Sequence, residues 1–412
     1  MSVSINRSIL TFARDSQLKC VLSSVSSIRF NHTSRKESAL PESVPGKITT
    51  AILKKFSEPH FLETIESPKN LQPNEVLIDI HYCALNTADA LLSKNSYNFE
   101  PKLPIVLGYE LVGKLADVGE EAKKGGYKVG DKVIALNKER YGGLAEQCIA
   151  EVGDIWKVPS TIKSVDAVSL IDNYVTALMA LERKVSIQED DMILINVGVS
   201  GIGLAAADLA TNVFRAKVLA VCATEEGASL VRDRGVYASF KFKNKQLLKQ
   251  IETVAADRDI KMIFDDDDGE TFKKILRCFT DVYKDDTELK KDLLRDDNFA
   301  VVVHHLSREG RLVVAGTART LSEAQSEDQN DSFNVAGFNL REYRKKKPEA
   351  YRQAGDEVLQ FFEEGLISPT CSLIIGLNKV NDALEYLFDK KSPGKVIIDI
   401  RNKDANAEQP KK

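Results

Sequence analysis

Apolar runs along the chain follow two different patterns. From Ile48 to about Val165 they are short, of β type, and separated by Pro, Gly and Asn. This spacing predicts a twisted, partly barrel-like antiparallel β region. The runs are TAILKKF, EVLIDIHYCAL, ELVGKLADV, DKVIAL and EQCIAEV.

Beyond about Val165, helical segments alternate with apolar strands. The strands are MILINV, AKVLAVC, IKMIF and RLVVAG. Alternation of this kind predicts a doubly wound parallel sheet. A final helix, KVNDALEYLF, precedes the strand GKVIIDI, which most simply returns to the first region. Two charged stretches interrupt the pattern: 281–298 is typical of a solvated helical insertion, and 341–347 of a surface turn.

Composition narrows the class of protein. A chain of 412 residues should form two domains, or one domain with an extension. The net charge of −4 does not favour nucleic-acid binding. The six cysteines include no CxxC pair, so neither a zinc cluster nor a redox dithiol is indicated. No stretch has the ~18 apolar residues of a membrane helix.

The first 36 residues differ from the rest. They hold six basic residues against one acid, Asp15, with many serines and interspersed apolar residues. This is the pattern of a transit peptide and predicts import into the mitochondrial matrix. The sequence Ile28-Arg29-Phe30-Asn31 suits processing. The alternative is a disordered N-terminal tail.

The segment NVGVSGIG predicts a turn between a strand and a helix. Gly198 permits the tight turn, Gly203 permits close packing of the helix, and the helix start offers N–H groups to a phosphate. Ser200 replaces the middle glycine of the strict GxGxxG pattern, but Gly201 follows it. A tight turn without any ligand remains an alternative.

The end of the second strand, in VLAVCATEEG, bears on the choice between NAD and NADP. An acid there binds the ribose 2′-hydroxyl, and a base binds a 2′-phosphate. The chain has neither directly at the strand end, where Cys222, Ala223 and Thr224 stand, with Glu225 and Glu226 slightly later. Three nearby bases cannot be placed from the pattern: Arg215, Lys217 and Lys241.

Together these segments resemble the medium-chain dehydrogenase/reductase superfamily, and within it the zinc-free quinone oxidoreductases. The resemblance runs from about Ile48 to Arg401. Its motifs are LNTADALL, LGYELVG, KVGDKVIAL, YGGLAEQCIAE, NYVTALMAL, the glycine turn, GRLVVAG and SPGKVIIDI.

The resemblance implies a Rossmann-type doubly wound parallel sheet plus a GroES-like, mostly antiparallel β catalytic domain. We expect the domains in this order: transit peptide 1–36, linker 37–47, catalytic domain 48–165 completed by 370–402, dinucleotide-binding domain 166–369, and a disordered tail 403–412.

The metal ligands of zinc-dependent relatives are replaced. Where those relatives have a Cys-His pair this chain has Asn86-Thr87, and where they have His-Glu it has Tyr109-Glu110. Asn, Thr and Tyr are poor zinc ligands. The structural four-cysteine lobe is also absent, so we expect no metal.

By resemblance, the catalytic candidates are Tyr97, Asn86 and Asp89, and Thr176 contacts the nicotinamide. Alternatively, Asn86 and Asp89 cap the helix that begins near ADALL, and Tyr97 is a core aromatic. The residues expected to bind the cofactor, besides Thr176, are Gly198, Ser200, Gly201, Ile202, Gly203, Thr224, Gly316, Thr317 and Lys395.

Three departures from the family pattern affect the cofactor. Gly227 replaces a lysine that meets the 2′-phosphate, and Phe242 replaces a tyrosine near the adenosine. Four carboxylates, Asp265 to Asp268, occupy a turn that is normally glycine-rich, where they would repel a pyrophosphate. A metal site in DDDDGE is disfavoured, because the spacing is not that of an EF-hand loop.

The resemblance implies NADPH-dependent (or NADH-dependent) reduction of a quinone, enone or related small electrophile by hydride transfer, in a homodimer joined at the edge of the nucleotide-domain sheet. One alternative is a catalytically degenerate dinucleotide-binding or interaction protein on the same fold. Another is a structural paralogue with a partner surface on the charged insertion.

Overall fold

The computed structural model describes residues 46–96, 101–182, 187–198, 201–256, 258, 260–265, 311–318, 333–338, 340–388 and 394–402, without the side chains of 248, 311–318, 333–338, 372 and 373. Several predicted features lie outside these residues: the leader 1–36, most of the linker, Tyr97, Ser200, Asp266 to Asp268, the insertion 281–298 and the tail 403–412.

The described strands and helices follow in chain order. The strands are β1 (Lys47–Leu53), β2 (Phe61–Glu66), β3 (Glu75–Leu85), β4 (Ile105–Val106), β5 (Glu110–Val118), β6 (Lys132–Leu136), β7 (Gln147–Glu151), β8 (Ile155–Lys157), β9 (Met192–Val197), β10 (Lys217–Cys222), β11 (Ala238–Lys241), β12 (Ile260–Asp265), β13 (Arg311–Ala318), β14 (Phe333–Phe338), β15 (Cys371–Gly376) and β16 (Lys395–Asp399). The helices are α1 (Thr87–Ser93), α2 (Glu120–Lys124), α3 (Ser164–Ala167), α4 (Ile171–Ala180), α5 (Ile202–Asn212), α6 (Glu225–Asp233), α7 (Leu247–Ala255), α8 (Leu340–Lys346), α9 (Pro348–Glu363) and α10 (Val380–Phe388).

The N-terminal strands form antiparallel sheets around β3. This long strand pairs antiparallel with β5, β7 and β16, while β1, β2 and β4 form a small separate sheet. Strand β16 comes from the far end of the chain and places Ile398 opposite Cys83. The C-terminal strand is therefore built into the first sheet.

The second sheet has the strand order β11-β10-β9-β12-β13-β14. The first four strands run parallel, which confirms the predicted α/β fold. All six residues of β9 are buried, as expected for a central parallel strand covered on both faces. Strands β13 and β14 continue the sheet antiparallel. The apolar run of β13 predicted a strand of a parallel sheet, and the antiparallel direction is a correction, because strand direction leaves no mark on such a pattern.

Helix α4 lies between the two sheets. All ten of its residues are buried, and it packs against α5, α9 and β6. A helix that is buried on all sides has no solvent-facing stripe. Through these contacts, α4 joins the two halves of the core.

A tight contact fixes α9 against β8. Trp156 is fully buried, makes an edge-to-face contact with Tyr351 at 5.2 Å, and donates Nε1–H to the Arg352 carbonyl over 2.9 Å. A Cβ atom at Gly355 would lie 2.1 Å from Nε1 of Trp156, so only glycine allows this approach.

The segment 341–347 is not the predicted surface turn, because most of it forms α8. Its arginines reach back to the first sheet: Arg344 is bonded to the buried Asp154, and Arg341 donates to the Tyr141 hydroxyl over 2.9 Å. The two arginines are three positions apart and share one helix face. The charged segment 341–347 therefore uses this face to contact Asp154 and Tyr141, and it does not form a solvated turn. None of the described helices is long and apolar enough to span a membrane.

Candidate functional site

The glycine turn links the end of β9 to the start of α5. Gly201 is left-handed, with φ of +86°, and stands directly before Ile202, the first residue of α5. A Cβ atom at Gly201 would lie 2.7 Å from Nδ2 of Asn173 on α4, so glycine is required for space and for conformation. Gly198 and Gly203 are buried on either side. The described glycines of this segment therefore have the burial, and Gly201 the conformation, that a tight turn from β9 into α5 requires.

Asn196 and Asp265 are neighbours at the carboxyl ends of β9 and β12. They are register partners, and Asn196 Nδ2 donates to Asp265 Oδ1 over 3.1 Å. Each is 1% exposed. The prediction that Asp265 opens an acidic turn is wrong, because pairing with β9 extends the strand through this residue and its carboxylate is buried.

Gly316 and Thr317 do not join the glycine turn. They lie near the end of β13, whose antiparallel register sets Ala315 opposite Met262 and Ala318 opposite Ile260. The two residues therefore lie beside the amino end of β12, whereas the glycine turn follows the carboxyl end of β9. Their expected place at the cofactor assumed a parallel β13.

On the catalytic side, Asn86 and Asp89 start α1. Asp89 accepts hydrogen bonds from the backbone N–H of Asn86 and of Gly108, each over 3.0 Å. The Asp89 side chain is fully buried, and burial raises its pKa to about 7, although the two N–H donors act in the opposite direction. Asp89 thus has the geometry of a helix-capping residue, which was one of the two interpretations of its role.

A buried ion pair holds the Asn86 side chain. Lys395 Nζ lies 2.5 Å from Glu110 Oε2 and also donates to Asn86 Oδ1, while Asn86 Nδ2 donates to Glu110 Oε2 over 3.1 Å. Glu110 is 0% and Lys395 2% exposed. Burial raises the pKa of Glu110, and the Lys395 ammonium opposes that rise. Because an ammonium can only donate, the Asn86 amide oxygen must face Lys395, which fixes the orientation of the amide.

Asp172 on α4 extends this cluster toward the surface. Its carboxylate accepts from the Tyr109 hydroxyl over 3.0 Å and pairs with Lys138 at 2.5 Å. Burial would raise the pKa of Asp172, but the Lys138 and Lys395 ammonium groups hold it at about 2. Asp172 is therefore ionised at neutral pH and ties α4 to the first sheet.

Consecutive residues of α4 contact the two halves of the site. The backbone N–H of Asp172 donates to Glu110 Oε1 over 2.8 Å, and the side chain of Asn173 lies against Gly201. Thr176 is buried one turn later, on the same helix face as Asp172. Helix α4 thus brings the glycine turn and the buried cluster together.

The place that holds metal ligands in zinc-dependent relatives contains an ammonium group here. The pairs Asn86-Thr87 and Tyr109-Glu110 converge, as their matched positions imply, and Lys395 is bonded to both pairs. Within the part of the chain that the structure describes, no three His, Cys, Asp or Glu side chains are grouped to hold a metal ion.

Three charged side chains form ion pairs near the carboxyl end of β10, the second strand of the parallel sheet in chain order. Glu225, the first residue of α6, pairs with Lys241 at 2.6 Å and with Arg232 at 2.9 Å. Thr224 caps α6, accepting a hydrogen bond from the Gly227 N–H over 3.0 Å. Gly227, at the position of the family's lysine, therefore donates its backbone N–H to the residue that caps α6.

The three bases that the pattern could not place are now located. Lys241 ends β11 and is the register partner of Cys222, at the carboxyl edge of the sheet. Arg215 and Lys217 lie at the opposite edge, paired with Glu189 and Asp190. Only Lys241 is near the expected ribose.

A second, partly buried network links the half of the molecule that contains the glycine turn to the C-terminal strands. Arg234 donates to the Ser368 carbonyl over 2.8 Å and to the Thr370 hydroxyl over 2.5 Å. Asp208 accepts from the Ser368 N–H over 2.7 Å. The Thr370 carbonyl in turn accepts from the Lys395 N–H over 2.8 Å, so this network also positions the backbone of Lys395.

Sequence reasoning missed several of these residues: Tyr109 as a hydrogen-bond donor, Lys138, Asp172, Asn173 and Arg232. All of them except Arg232, which pairs with Glu225 on its own helix, belong to the site only through a partner far away in the sequence. Asp172 and Asn173 fall within the family motif NYVTALMAL or directly before it, which was the one available signal. Nothing local marks Lys138.

Residues 72–160 match the family described as Alcohol dehydrogenase GroES-like domain. Quinone oxidoreductase-like protein 2 of Mus musculus is 27% identical over 355 residues, which cover 85% of this chain and 92% of the mouse protein.

Two solved structures show the same fold at lower identity. A probable oxidoreductase from Mycobacterium abscessus is 22% identical with a TM-score of 0.67, over 87% of this chain and 100% of that one. Escherichia coli quinone oxidoreductase complexed with NADPH is 17% identical with a TM-score of 0.63, over 85% and 100%. The fold, the order of motifs and the relatives agree: this chain has the two-sheet fold of the medium-chain dehydrogenases/reductases, with a match to the GroES-like domain at residues 72–160, and is similar to the quinone oxidoreductase-like proteins.

Proposed function

We propose that this protein is a metal-free oxidoreductase that binds a reduced nicotinamide dinucleotide and reduces a quinone, an enone or a related small electrophile. One observation carries the proposal: adjacent residues of α4, Asp172 and Asn173, contact Glu110 and Gly201 respectively. A glycine turn suited to a pyrophosphate is thereby held beside a buried, charge-bearing cluster.

The described residues fit the pyrophosphate end of such a cofactor. Gly201 has the left-handed backbone that lets a turn approach a ligand closely, and the eleven-residue α5 begins directly after it. When bound, the reduced nicotinamide would supply a hydride. Thr176 on α4 and, by resemblance, Tyr97 would contact it.

The chain's own contribution to the reaction is a fixed donor near the reacting oxygen. Asn86 Nδ2 has two N–H groups, of which one is bonded to Glu110. The second can donate to a substrate oxygen that gains negative charge. A donor held in place beforehand by Lys395 and Glu110 needs no reorganisation when that charge develops, and this is the most effective form of electrostatic stabilisation.

The donor set supports a reaction without a metal. Zinc prefers thiolate, imidazole or carboxylate, and of the four residues at the matched positions only Glu110 offers one of these groups. That carboxylate is already paired with Lys395, whose positive charge would repel a divalent cation.

A second candidate function is a degenerate dinucleotide-binding protein. It is favoured by the acidic sequence that follows Asp265 and by Gly227 at the family's lysine position. Because Asp265 is buried, only Asp266 to Asp268 remain as carboxylates that would repel the pyrophosphate. If Asp266 to Asp268 weaken binding, their combined change to Asn should strengthen binding of the dinucleotide; equal affinity would remove this candidate.

The test of the proposed function is direct. Purified protein is titrated with NADPH and NADH side by side, following nucleotide fluorescence, and then assayed for nucleotide oxidation with a panel of quinones and enones. Asn86→Ala should lower the rate of oxidation and leave nucleotide affinity nearly unchanged. Absence of both binding and oxidation in the unaltered protein would overturn the proposal.

Two further parts of the proposal concern the setting of the enzyme. The composition of residues 1–36 supports a mitochondrial matrix protein. Analogy with the superfamily supports a homodimer joined at the edge of the second sheet, where β14 is the outermost strand among the described residues. Light scattering coupled to size-exclusion chromatography would measure the molar mass of the assembly.

A further inference from the structure

Glu225 lies three residues beyond the strand end at which an acid or a base distinguishes a ribose 2′-hydroxyl from a 2′-phosphate. In a doubly wound sheet the adenosine ribose lies outside the carboxyl end of the second strand, which is β10 here. Strand β10 ends at Cys222, and Glu225 begins α6 three residues later. Lys241, at the end of the neighbouring strand β11, is the register partner of Cys222.

The Glu225 carboxylate engages both nearby cations. Its Oε2 lies 2.6 Å from Lys241 Nζ, and its Oε1 lies 2.9 Å from Arg232 Nη2. These contacts lower the pKa of Glu225, so the carboxylate is ionised at neutral pH. The bases that could otherwise bind a phosphate are therefore partly neutralised by an anion.

The two possible reductants place different groups here. NADH has a 2′-hydroxyl, which can donate to a carboxylate, while NADPH has a 2′-phosphate, which needs cations and is repelled by a carboxylate. The lysine of the family pattern is replaced by Gly227, whose N–H is bonded to Thr224. The residues at this end of the site thus do not fit the NADPH expected from the family resemblance.

We propose that Glu225 is the specificity-determining residue of the cofactor site and that it selects NADH over NADPH, by repelling a 2′-phosphate and by holding Lys241 and Arg232 in ion pairs. This inference rests on the proposed function, because it concerns the same dinucleotide site. It names the reductant and the residue that chooses it.

The test measures binding with probes that carry no nicotinamide. ADP-ribose and 2′-phospho-ADP-ribose differ only by the 2′-phosphate, and their dissociation constants are measured by isothermal titration calorimetry. The unaltered protein should bind ADP-ribose more tightly. Glu225→Gln should shift the ratio of the two constants toward the phosphorylated probe by about tenfold, since one charge near a dianion is removed. High salt should reduce the shift, because the interaction is exposed to solvent.

Two further variants complete the design. Lys241→Met in the Glu225→Gln background should abolish the gain, because the released cation is then missing. Glu121→Gln is the matched control: it removes the same charge from the first turn of α2, in the other half of the molecule, and should leave the ratio unchanged.

The outcomes separate the two proposals. Binding of both probes with the same ratio in the unaltered protein and in Glu225→Gln would overturn the role of Glu225 and leave the proposed function standing. Tighter binding of the phosphorylated probe by the unaltered protein would do the same. Failure of every variant to bind either probe would overturn both.

Discussion

Lys395 and Glu110 form an ion pair at 2.5 Å in the interior of the protein, although 285 residues separate them in the sequence. Both side chains also bond to Asn86, so the pair serves a hydrogen-bonded network rather than a single contact. Charges removed from water are stabilised only when such partners are complete. The loss of one partner should therefore be costly.

Lys395→Met should lower the free energy of unfolding by about 3–5 kcal/mol, because it leaves the Glu110 carboxylate buried without its cation. Denaturant unfolding followed by fluorescence measures the change. The double variant Glu110→Leu with Lys395→Met should recover part of the loss. Lys123→Met, which breaks an exposed pair with Glu120, is the control and should have no measurable effect. Equal effects of the two lysine variants would contradict this prediction.

The pH dependence of stability should contain a component from Asp89. Its pKa is raised from an ordinary 3.8 to about 7, so between these values the folded protein holds a proton that the unfolded chain has released. The free energy of unfolding therefore falls as pH rises from about 4 to about 7. Asp89→Asn should flatten this fall when stability is measured at about pH 5 and at about pH 7.5. The control Asp233→Asn, at an exposed carboxylate, should show the same fall in unfolding free energy as the unaltered protein. An unchanged fall in Asp89→Asn would show that Asp89 is not its source.

Gly201→Ala should disturb the contact between the glycine turn and α4 and weaken dinucleotide binding. The new Cβ would meet Asn173 Nδ2 at 2.7 Å and would also strain a backbone at φ of +86°. Gly126→Ala is a matched control, because Gly126 has a similar φ of +91° and no atom within 4 Å of the added Cβ.

Nucleotide affinity and unfolding free energy are measured for both variants. Gly126→Ala should lose stability without losing affinity. Adding Asn173→Ala to Gly201→Ala should restore part of the stability, because it removes the clash but not the backbone strain. If Gly201→Ala behaves like Gly126→Ala in both measurements, the contact between Gly201 and α4 does not contribute to nucleotide binding.

Gly355→Ala should destabilise the protein, against the usual effect of this change within a helix. Alanine normally stabilises a helix interior by about 1 kcal/mol relative to glycine. Here the added Cβ would lie 2.1 Å from Trp156 Nε1, so α9 must move away from β8, at a cost of about 1–3 kcal/mol or more. Denaturant unfolding compares it with Gly153→Ala, where an added Cβ has no neighbour within 4 Å. If Gly355→Ala instead stabilises the protein, Trp156 and α9 can move apart at little cost in free energy.

Residues 1–36 should direct import into mitochondria. The full chain fused to a fluorescent protein should be taken up by isolated mitochondria, become resistant to added protease and be shortened, since a transit peptide is removed after import. The chain that starts at residue 37 should stay outside, and the chain that lacks 403–412 should be imported normally. Import of the shortened chain would refute a leader.

The sequence predicted what depends on local pattern. The apolar runs located β3, β5, β9, β10 and β12, because a strand buried on one or both faces leaves a periodic record in its own residues. The glycines between β9 and α5 predicted a turn for the same reason, since a left-handed backbone strongly favours glycine. The family motifs also drew attention to Asn86, as a catalytic candidate, and to Lys395, which was expected to bind the cofactor and lies in a buried ion pair with Glu110.

Which distant groups meet depends on how the strands and helices pack together. The direction of β13 moved Gly316 and Thr317 away from the glycine turn, and no apolar run records strand direction. The pairing of Glu225 with Lys241, and of Asp172 with Lys138, joins residues whose neighbours in sequence give no sign of a partner. A hydrophobic pattern encodes the burial of each residue, whereas charge pairing depends on the packing of whole elements. In this protein, local pattern encodes the strands and the glycine turn, whereas the side chains that meet in the site depend on the packing of distant elements.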